Sequence, residues 1–76
     1  MGESELQGDR YARFVEKLVQ ARLDTGLTQR EAAERLGRLQ SFVSKCELAE
    51  RRVSALEVFD FAKAYGVDVS TFDPGP

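Results

Sequence analysis

A short run of hydrogen-bonding side chains near the middle of the chain has the spacing of one helix face, namely Gln40, Ser41, Ser44 and Lys45. The amide of Gln40 can donate and accept hydrogen bonds together, each serine hydroxyl can do either, and the ammonium of Lys45 can only donate. Such groups can pair with the edges of nucleic-acid bases, and a lysine can also contact phosphate. They can equally form an ordinary polar helix surface, so the residue types alone leave both interpretations open.

Residues suited to catalysis or to metal binding are scarce in this sequence. The chain has no histidine and a single cysteine, Cys46. We find no cluster with metal-ligand spacing, no glycine-rich phosphate loop and no nucleophile beside a base. We therefore expect no enzymatic activity, no metal and no cofactor. Cys46 is expected to be a small buried hydrophobic residue rather than a reactive thiol.

Size and composition predict one small soluble domain. The chain has 76 residues, of which 42% are hydrophobic, and this length is too short for two domains. No apolar run approaches the ~20 residues that a membrane span needs, so no membrane is expected. The lone cysteine and the lack of a signal-like N-terminus predict a cytoplasmic protein.

Charge is unevenly distributed along the chain. The 11 basic and 13 acidic residues give a net charge of −2, which argues mildly against nucleic-acid binding because such domains are usually basic. The positive charges are nevertheless concentrated in residues 10–23 and 38–52. Phosphate contacts need only a local basic face, so the net charge does not exclude them.

Apolar spacing predicts the helices that would position the polar side chains. Residues 1–8 have little apolar content and are expected to be a flexible N-terminal tail. Helix one is predicted over about residues 10–25, with Asp9 as its cap and Gly26 at its end.

Two capping boxes mark further helix starts. Thr28 and Glu31 begin helix two, which ends at Gly37, and Ser54 and Glu57 begin helix four. Helix three lies between them over about residues 40–48, and Phe42, Val43 and Cys46 are its predicted inward face. Helix four is predicted to end at the second turn glycine, Gly66, and a short fifth helix follows over about residues 69–72. The predicted fold class is all-α, a compact domain of five helices.

The order and spacing of these elements resemble the lambda-repressor-like, Cro/cI-type helix-turn-helix domains, also called the XRE family. The matching segments are "LTQREAAERLG", "QSFVSKCE" and "ALEVFDFAKAYGVDVSTF". The similarity covers about residues 11–72, nearly the whole chain. It implies a single helix-turn-helix domain over residues 9–73, followed by a C-terminal tail of residues 74–76.

This resemblance implies sequence-specific binding to double-stranded DNA by a transcriptional regulator, which we expect to be a repressor. Helix three, residues 40–48, would lie in the major groove. The implied base contacts are Leu39, Gln40, Ser41, Ser44 and Lys45. The implied phosphate contacts are Gln29, Arg38, Arg51 and Arg52.

Other residues are interpreted through the same resemblance. Arg22 and Glu47 match positions that often form an ion pair between the first and third helices. Leu39 stands where many members have a serine or threonine cap, and a leucine cannot cap a helix. Ala49 replaces a frequent glycine, and Glu50 follows where a basic residue is common. These departures at Leu39, Ala49 and Glu50 leave the predicted fold in place and weaken the expectation of tight DNA binding.

A homodimer on a palindromic operator is expected, because one recognition helix reads too few bases for useful specificity. The fifth helix and the aromatic side chains of Tyr65 and Phe72 are the expected dimer surface. The alternative function is an antitoxin-like or adaptor-like module that binds a protein partner, such as a toxin, with weak or no DNA binding. The acidic balance and Glu50 favour this alternative slightly.

Overall fold

Four α-helices and one short 3₁₀ helix follow one another along the chain. The computed structural model describes residues 3–76, with side chains from residue 8 onward. Its elements are α1 (Glu3–Thr25), α2 (Gln29–Leu36), α3 (Gln40–Glu47), α4 (Ala55–Tyr65) and the 3₁₀ helix (Val69–Phe72). The described residues contain no strand, so the all-α fold class is confirmed.

The predicted short helix over residues 69–72 is present, but it is a 3₁₀ helix, so the described residues contain four α-helices and not five helices of one kind. The Asp68 side chain accepts a hydrogen bond from the backbone N–H of Ser70 and starts the turn. Pro74 follows soon after, and the residue before a proline is disfavoured in the α conformation. A segment of this length therefore closes one tight turn only.

Helix α1 begins well before the predicted start. The prediction that Asp9 caps it is wrong, since Asp9 lies inside the helix. The preceding residues include glutamate, glutamine and leucine, which are good helix formers, and low apolar content does not prevent a helix from extending into solvent. Residues 1 and 2 of the predicted flexible tail lie outside the described residues. The flexibility of that tail stays a prediction.

Both predicted capping boxes are confirmed. The Thr28 hydroxyl accepts from the N–H of Glu31, and the Glu31 carboxylate accepts from the N–H of Thr28. Ser54 and Glu57 form the same reciprocal pair at the start of α4. Gly37, which has a φ of 67°, ends α2 in the left-handed conformation that glycine adopts without steric cost.

The core lies where the helices meet. Its largest fully buried side chains are Leu18, Val43, Cys46, Phe61 and Phe72. Ala32 and Ala33 are buried too, and their small size lets α2 lie close to its neighbours. The prediction for Cys46 is confirmed, and burial raises the pKa of its thiol.

The two aromatic side chains of the predicted dimer surface belong to the core, so that part of the prediction is wrong, and the part that names the fifth helix stays a prediction. Tyr65 is 3% exposed and Phe72 is 2% exposed. Phe72 packs edge-on against Phe14 of α1, with ring centroids 6.3 Å apart. The Tyr65 ring packs against Phe61, and both buried rings are therefore inaccessible to a second copy.

The last three residues lie along α1. The Nε of Arg13 donates to the carbonyl of Pro74 at 2.9 Å, and its Nη2 donates to the carbonyl of Pro76 at the same distance. Arg10 donates to the carbonyl of Gly75 at 3.1 Å. Two of the positive charges of α1 therefore hold the predicted C-terminal tail.

No helix in the described part of the chain is both long and apolar enough to cross a bilayer.

Candidate nucleic-acid interface

Helices α2 and α3 are joined by a tight turn at Gly37. The N–H of Arg38 returns to the carbonyl of Ala33 at 2.9 Å, which closes the end of α2. Val43 and Cys46 then anchor the inner side of α3, since both are fully buried. Because residues one turn apart share a helix face, the opposite side of α3 must face solvent.

The outward side of α3 carries the side chains that the sequence singled out. Gln40, Ser41 and Lys45 are exposed, and Ser44 is partly buried. Leu39 precedes the helix and is 78% exposed, and its side chain makes no capping hydrogen bond. The start of α3 thus combines an exposed leucine with backbone N–H groups that no side chain caps.

A surface groove of about 290 Å³ brings several of the predicted contacts together. Its lining includes Leu39, Ser41 and Lys45 together with Arg38 and Arg51. Hydroxyl, ammonium and guanidinium groups meet there beside an apolar tip. This combination suits a ligand that presents both anionic and heteroaromatic groups.

An ion pair joins α1 to α3. Arg22 of α1 contacts the Glu47 carboxylate with two nitrogens, Nε to Oε2 at 2.7 Å and Nη2 to Oε1 at 3.0 Å. The side chains of Arg22 and Glu47 are only 12% and 6% exposed. The hydrogen bond to Glu47 raises the pKa of Arg22. These are the two residues that the resemblance paired.

Gln29, a predicted phosphate contact, joins the same junction. Its amide Nε2 donates to Oε1 of Glu47 at 2.9 Å. Arg22 also donates to the carbonyl of Leu27 at 2.8 Å, so the junction holds the segment that leads into α2. A glutamine amide has two N–H donors, and the second remains available to an external acceptor.

Arg38 and Arg51 lie on the ring of Phe42. Their guanidinium carbons stand 4.1 Å and 4.7 Å from its centroid. This geometry is that of a cation–π contact on an aromatic ring. The phenyl ring therefore keeps both arginines beside the tip of α3.

Glu57 holds the two guanidinium groups in place. It accepts from Arg51 at 2.8 Å and 3.0 Å and from Arg38 at 3.1 Å. It also accepts from the N–H of Ser54 as part of the capping box. The hydrogen bonds from Arg51 and from the Ser54 backbone lower the pKa of Glu57 to about 2.

Arg52 stands apart from the other predicted phosphate contacts. Its guanidinium carbon lies 4.2 Å from the centroid of the Tyr11 ring. The hydroxyl of Tyr11 accepts from the N–H of Val53 at 3.0 Å. Arg52 lines a different groove, of about 440 Å³, in which Pro74 also takes part.

A family with the description "Helix-turn-helix domain" matches residues 13–74, which is most of the chain. The chain belongs to this helix-turn-helix family. The family resemblance inferred from the sequence segments is confirmed.

Two relatives show where this helix-turn-helix domain lies within the family. An XRE-family like protein from Pseudomonas syringae pv. tomato str. DC3000 has a solved structure with a TM-score of 0.86 and 43% sequence identity, covering 91% of this chain and 84% of that chain. The domain is therefore of the XRE type. A propionyl-CoA carboxylase regulator of Cereibacter sphaeroides is 43% identical over 54 residues, which are 71% of this chain and 12% of that protein. The chain thus spans only a small part of that relative's length.

The sequence did not predict that Phe42 and Glu57 hold Arg38 and Arg51 in place. The sequence predicts Phe42 as a core residue, and its ring also supports Arg38 and Arg51. The sequence predicts Glu57 in a capping box, and its carboxylate also binds both guanidinium groups. The only sequence signal was an acidic capping residue close to a basic segment, which is a common pattern at helix starts.

The end of α3 has an unusual backbone conformation. Ala49 has a φ of 59°, which places an alanine in the left-handed region. The N–H of Glu50 then returns to the carbonyl of Lys45 at 2.9 Å, as it does where a glycine ends a helix. Ala49 therefore forms the same turn that a glycine usually forms at this position.

Proposed function

We propose that this chain binds double-stranded DNA sequence-specifically as a transcriptional regulator and that it is a repressor. The observation that carries the proposal is the exposed polar side of α3, because this helix of a helix-turn-helix enters the major groove. An α-helix is ~10–12 Å across, and the groove is ~12 Å wide. The tip of α3 can therefore reach the edges of the bases.

The proposed base contacts follow from the chemistry of each side chain. The amide of Gln40 can pair with an adenine through two hydrogen bonds, and Ser41 can donate or accept beside it. Lys45 can reach a guanine or a phosphate, and Ser44 lies on the same side of the helix. Leu39 has no polar atom in its side chain, so we propose that it contacts the methyl group of a thymine.

The proposed phosphate contacts are Gln29, Arg38, Arg51 and Arg52. Gln29 lies in the first turn of α2, where free backbone N–H groups favour an anion, and its second amide proton is unused at the junction. The side chains of Arg38 and Arg51 remain 43% and 41% exposed although Glu57 binds them. Their two charges exceed the single charge of Glu57, so the cluster keeps a net positive charge.

The first test of this function is selection of bound sequences from random duplex DNA. Wild-type protein should select a defined motif, and Gln40→Ala should lose the preference at one position of each half-site. A bidentate base contact contributes ~1–3 kcal/mol of discrimination. Gln20→Ala, at an exposed glutamine on α1, is the matched control and should select the wild-type motif. An unchanged motif for Gln40→Ala would remove Gln40 from the base contacts.

We further propose a homodimer on a palindromic operator. A two-fold dimer of helix-turn-helix domains presents two recognition helices to half-sites ~34 Å apart, or a multiple of that distance. Base contacts from two copies double the length of sequence that is read.

The alternative is a protein-interaction module, antitoxin-like or adaptor-like, with a partner such as a toxin. Glu50 favours it, because this exposed carboxylate lies three residues after the end of α3 and would repel phosphate. The salt dependence of binding to duplex DNA separates the two functions. Several phosphate contacts make the logarithm of affinity fall steeply with the logarithm of salt concentration, whereas a module without DNA binding shows no such slope.

A further inference from the structure

A groove distinct from the one at the tip of α3 lies between α1 and the loop that joins α3 to α4. Its volume is about 440 Å³, and its lining includes Arg10 and Tyr11 of α1 together with Arg52 and Val53 of the loop. We call it the Arg52 groove. The rest of its lining is apolar, and no acidic side chain is present among the described residues that line it. The groove therefore combines two guanidinium groups with aromatic and aliphatic walls.

Tyr11 holds the loop side of the Arg52 groove. Its ring centroid lies 4.2 Å from the guanidinium carbon of Arg52, and its hydroxyl accepts from the N–H of Val53 at 3.0 Å. One side chain thus contacts two consecutive residues of the loop. The Tyr11 ring also packs against Phe14, with centroids 5.5 Å apart, and Phe14 packs against the buried Phe72. The position of Arg52 is therefore tied to the core through a chain of aromatic rings.

The two arginines of the Arg52 groove keep their full positive charge. Both Arg10 and Arg52 are exposed, and neither forms an ion pair within residues 8–76. In that range Arg10 donates only through its Nε, to the carbonyl of Gly75 at 3.1 Å, so its two terminal nitrogens can donate to an added group. The arginines at the tip of α3 differ, because they share the carboxylate of Glu57. The Arg52 groove therefore suits an oxyanion.

The Arg52 groove adjoins the groove at the tip of α3 through two consecutive residues. Arg51 lines the groove at the tip, Arg52 lines the other one, and their Cα atoms are ~3.8 Å apart. Arg51 also donates to the carbonyl of Arg52 at 3.0 Å. The two guanidinium groups lie on different rings, that of Arg51 on Phe42 and that of Arg52 on Tyr11. A DNA strand that meets the tip of α3 can therefore present a neighbouring phosphate to the Arg52 groove.

We propose that the Arg52 groove binds a backbone phosphate of duplex DNA through Arg10 and Arg52, and that Tyr11 positions Arg52 for this contact. The inference rests on the proposed function and adds Arg10 and Tyr11 to the residues on which DNA binding depends. A guanidinium group matches the geometry of a phosphate, to which it can donate two parallel hydrogen bonds. Tyr11 acts through Arg52, because a side chain already held on a ring loses less conformational freedom when DNA binds.

The first test measures how the affinity of the 76-residue chain for a short duplex of random sequence changes with salt concentration. Arg10→Gln and Arg52→Gln should each weaken binding several-fold. The double variant should lower the steepness of the logarithmic salt dependence by about 0.9 for each bound copy, the value of one phosphate contact. Lys63→Gln, which removes one exposed charge from α4, is the control and should keep the wild-type slope. Fluorescence anisotropy of a labelled duplex measures all four proteins.

A double-mutant cycle tests the positioning role of Tyr11. Tyr11→Leu should weaken DNA binding about 2- to 10-fold, the cost of ordering one long side chain, and should have no effect when Arg52→Gln is already present. Tyr11→Phe keeps the ring and should bind DNA within about two-fold of the wild type. Circular dichroism should show the same helix content for these variants. A merely structural role would make Tyr11→Leu weaken binding equally with and without Arg52, and that result would overturn the positioning.

The wild-type salt dependence separates the failure of this inference from that of the proposed function. Wild-type protein without salt-dependent DNA binding would reject the proposed function, and this inference with it. Salt-dependent binding whose slope is unchanged in the Arg10→Gln, Arg52→Gln variant would retain the function and reject the phosphate site. If inorganic phosphate alone then shifted the NMR signals of Arg10 and Arg52, the groove would belong to a free anion and not to DNA.

Discussion

Single residues at the two ends of α3 depart from what a helix end prefers. Leu39 begins the helix without a side-chain acceptor for its free N–H groups. Ala49 ends it in the left-handed region, where a β-carbon crowds the following carbonyl. The two ends therefore contribute less stability than a serine and a glycine would. At the start, the proposed gain is an apolar tip for a thymine methyl. At the end, nothing in the structure explains the choice of alanine.

Ala49→Gly should stabilise the domain. Relief of the left-handed strain is worth ~1–2 kcal/mol, and the greater freedom of glycine in the unfolded chain offsets ~0.4–1 kcal/mol of it. The expected gain of about 0.5–1 kcal/mol corresponds to a rise in melting temperature of about 3–6 °C for a domain of this size. Thermal unfolding followed by circular dichroism measures it.

Ala12→Gly supplies the control for that measurement. Ala12 is exposed within α1, where glycine weakens the helix, so the same substitution should lower the melting temperature there. A melting temperature for Ala49→Gly at or below that of the wild type would contradict the strain argument.

Three elements of secondary structure meet at the Glu47 carboxylate. Arg22 reaches it from α1, and Gln29 reaches it from the first turn of α2. Glu47 itself belongs to the last turn of α3. The orientation of the proposed recognition helix therefore depends on one largely buried carboxylate. Its removal should weaken the packing of all three helices.

Removing one partner of this pair should destabilise the domain strongly. Glu47→Leu leaves Arg22 buried without a counter-charge, for an expected loss of ~3–5 kcal/mol, and Arg22→Met should cost a similar amount. A domain of this size is stable by only about 4–11 kcal/mol in total, so each single variant should lie near unfolding. Urea unfolding measures both variants and their combination.

The double variant is the decisive member of this set. Arg22→Met with Glu47→Leu removes both charges, so it should lose less than the sum of the single losses. Strictly additive losses would mean that the two side chains do not interact in solution.

At the scale of the whole molecule, Glu57 connects parts that are distant in sequence. It binds Arg38 in the turn between α2 and α3 and Arg51 in the loop before α4. Its folded pKa of about 2 lies below the ordinary value of 4.5. A carboxylate with a lowered pKa stabilises the fold above its unfolded pKa, and this stability is lost as the pH falls through its folded pKa.

Glu57→Gln should therefore destabilise the protein at neutral pH and much less in acid. The difference from wild type should be about 2 kcal/mol near neutral pH, allowing for solvent screening of the half-exposed arginines, and it should shrink as the pH falls from 4.5 to about 2. Urea unfolding across this range measures the difference.

The matched control for the acid titration is Glu50→Gln. Glu50 is exposed, so its replacement should change stability by only a few tenths of a kcal/mol at neutral pH. A difference between wild type and Glu57→Gln that stays constant across the acid range would contradict the assigned role of the Glu57 carboxylate.

Local interactions explain what could be read from the sequence alone. The capping boxes at Thr28 and Ser54 and the turn at Gly37 each depend on residues within a few positions of one another. The apolar repeat likewise depends on neighbouring turns, so it set the inward side of each helix. These features determined an all-α fold, and the quoted segments identified its family and the exposed side of α3.

Long-range contacts decided the rest. Phe72 is buried against Phe14 of α1, and Tyr65 is buried in the core beside Phe61. No local pattern distinguishes a core aromatic from an interface aromatic. Glu57 meets Arg38 across nineteen positions of sequence only because α2, α3 and α4 pack together. The sequence determined which residues face outward from each helix, since that depends on the helical period. Only the tertiary structure decided which of those outward residues are held together, since that depends on the packing between helices.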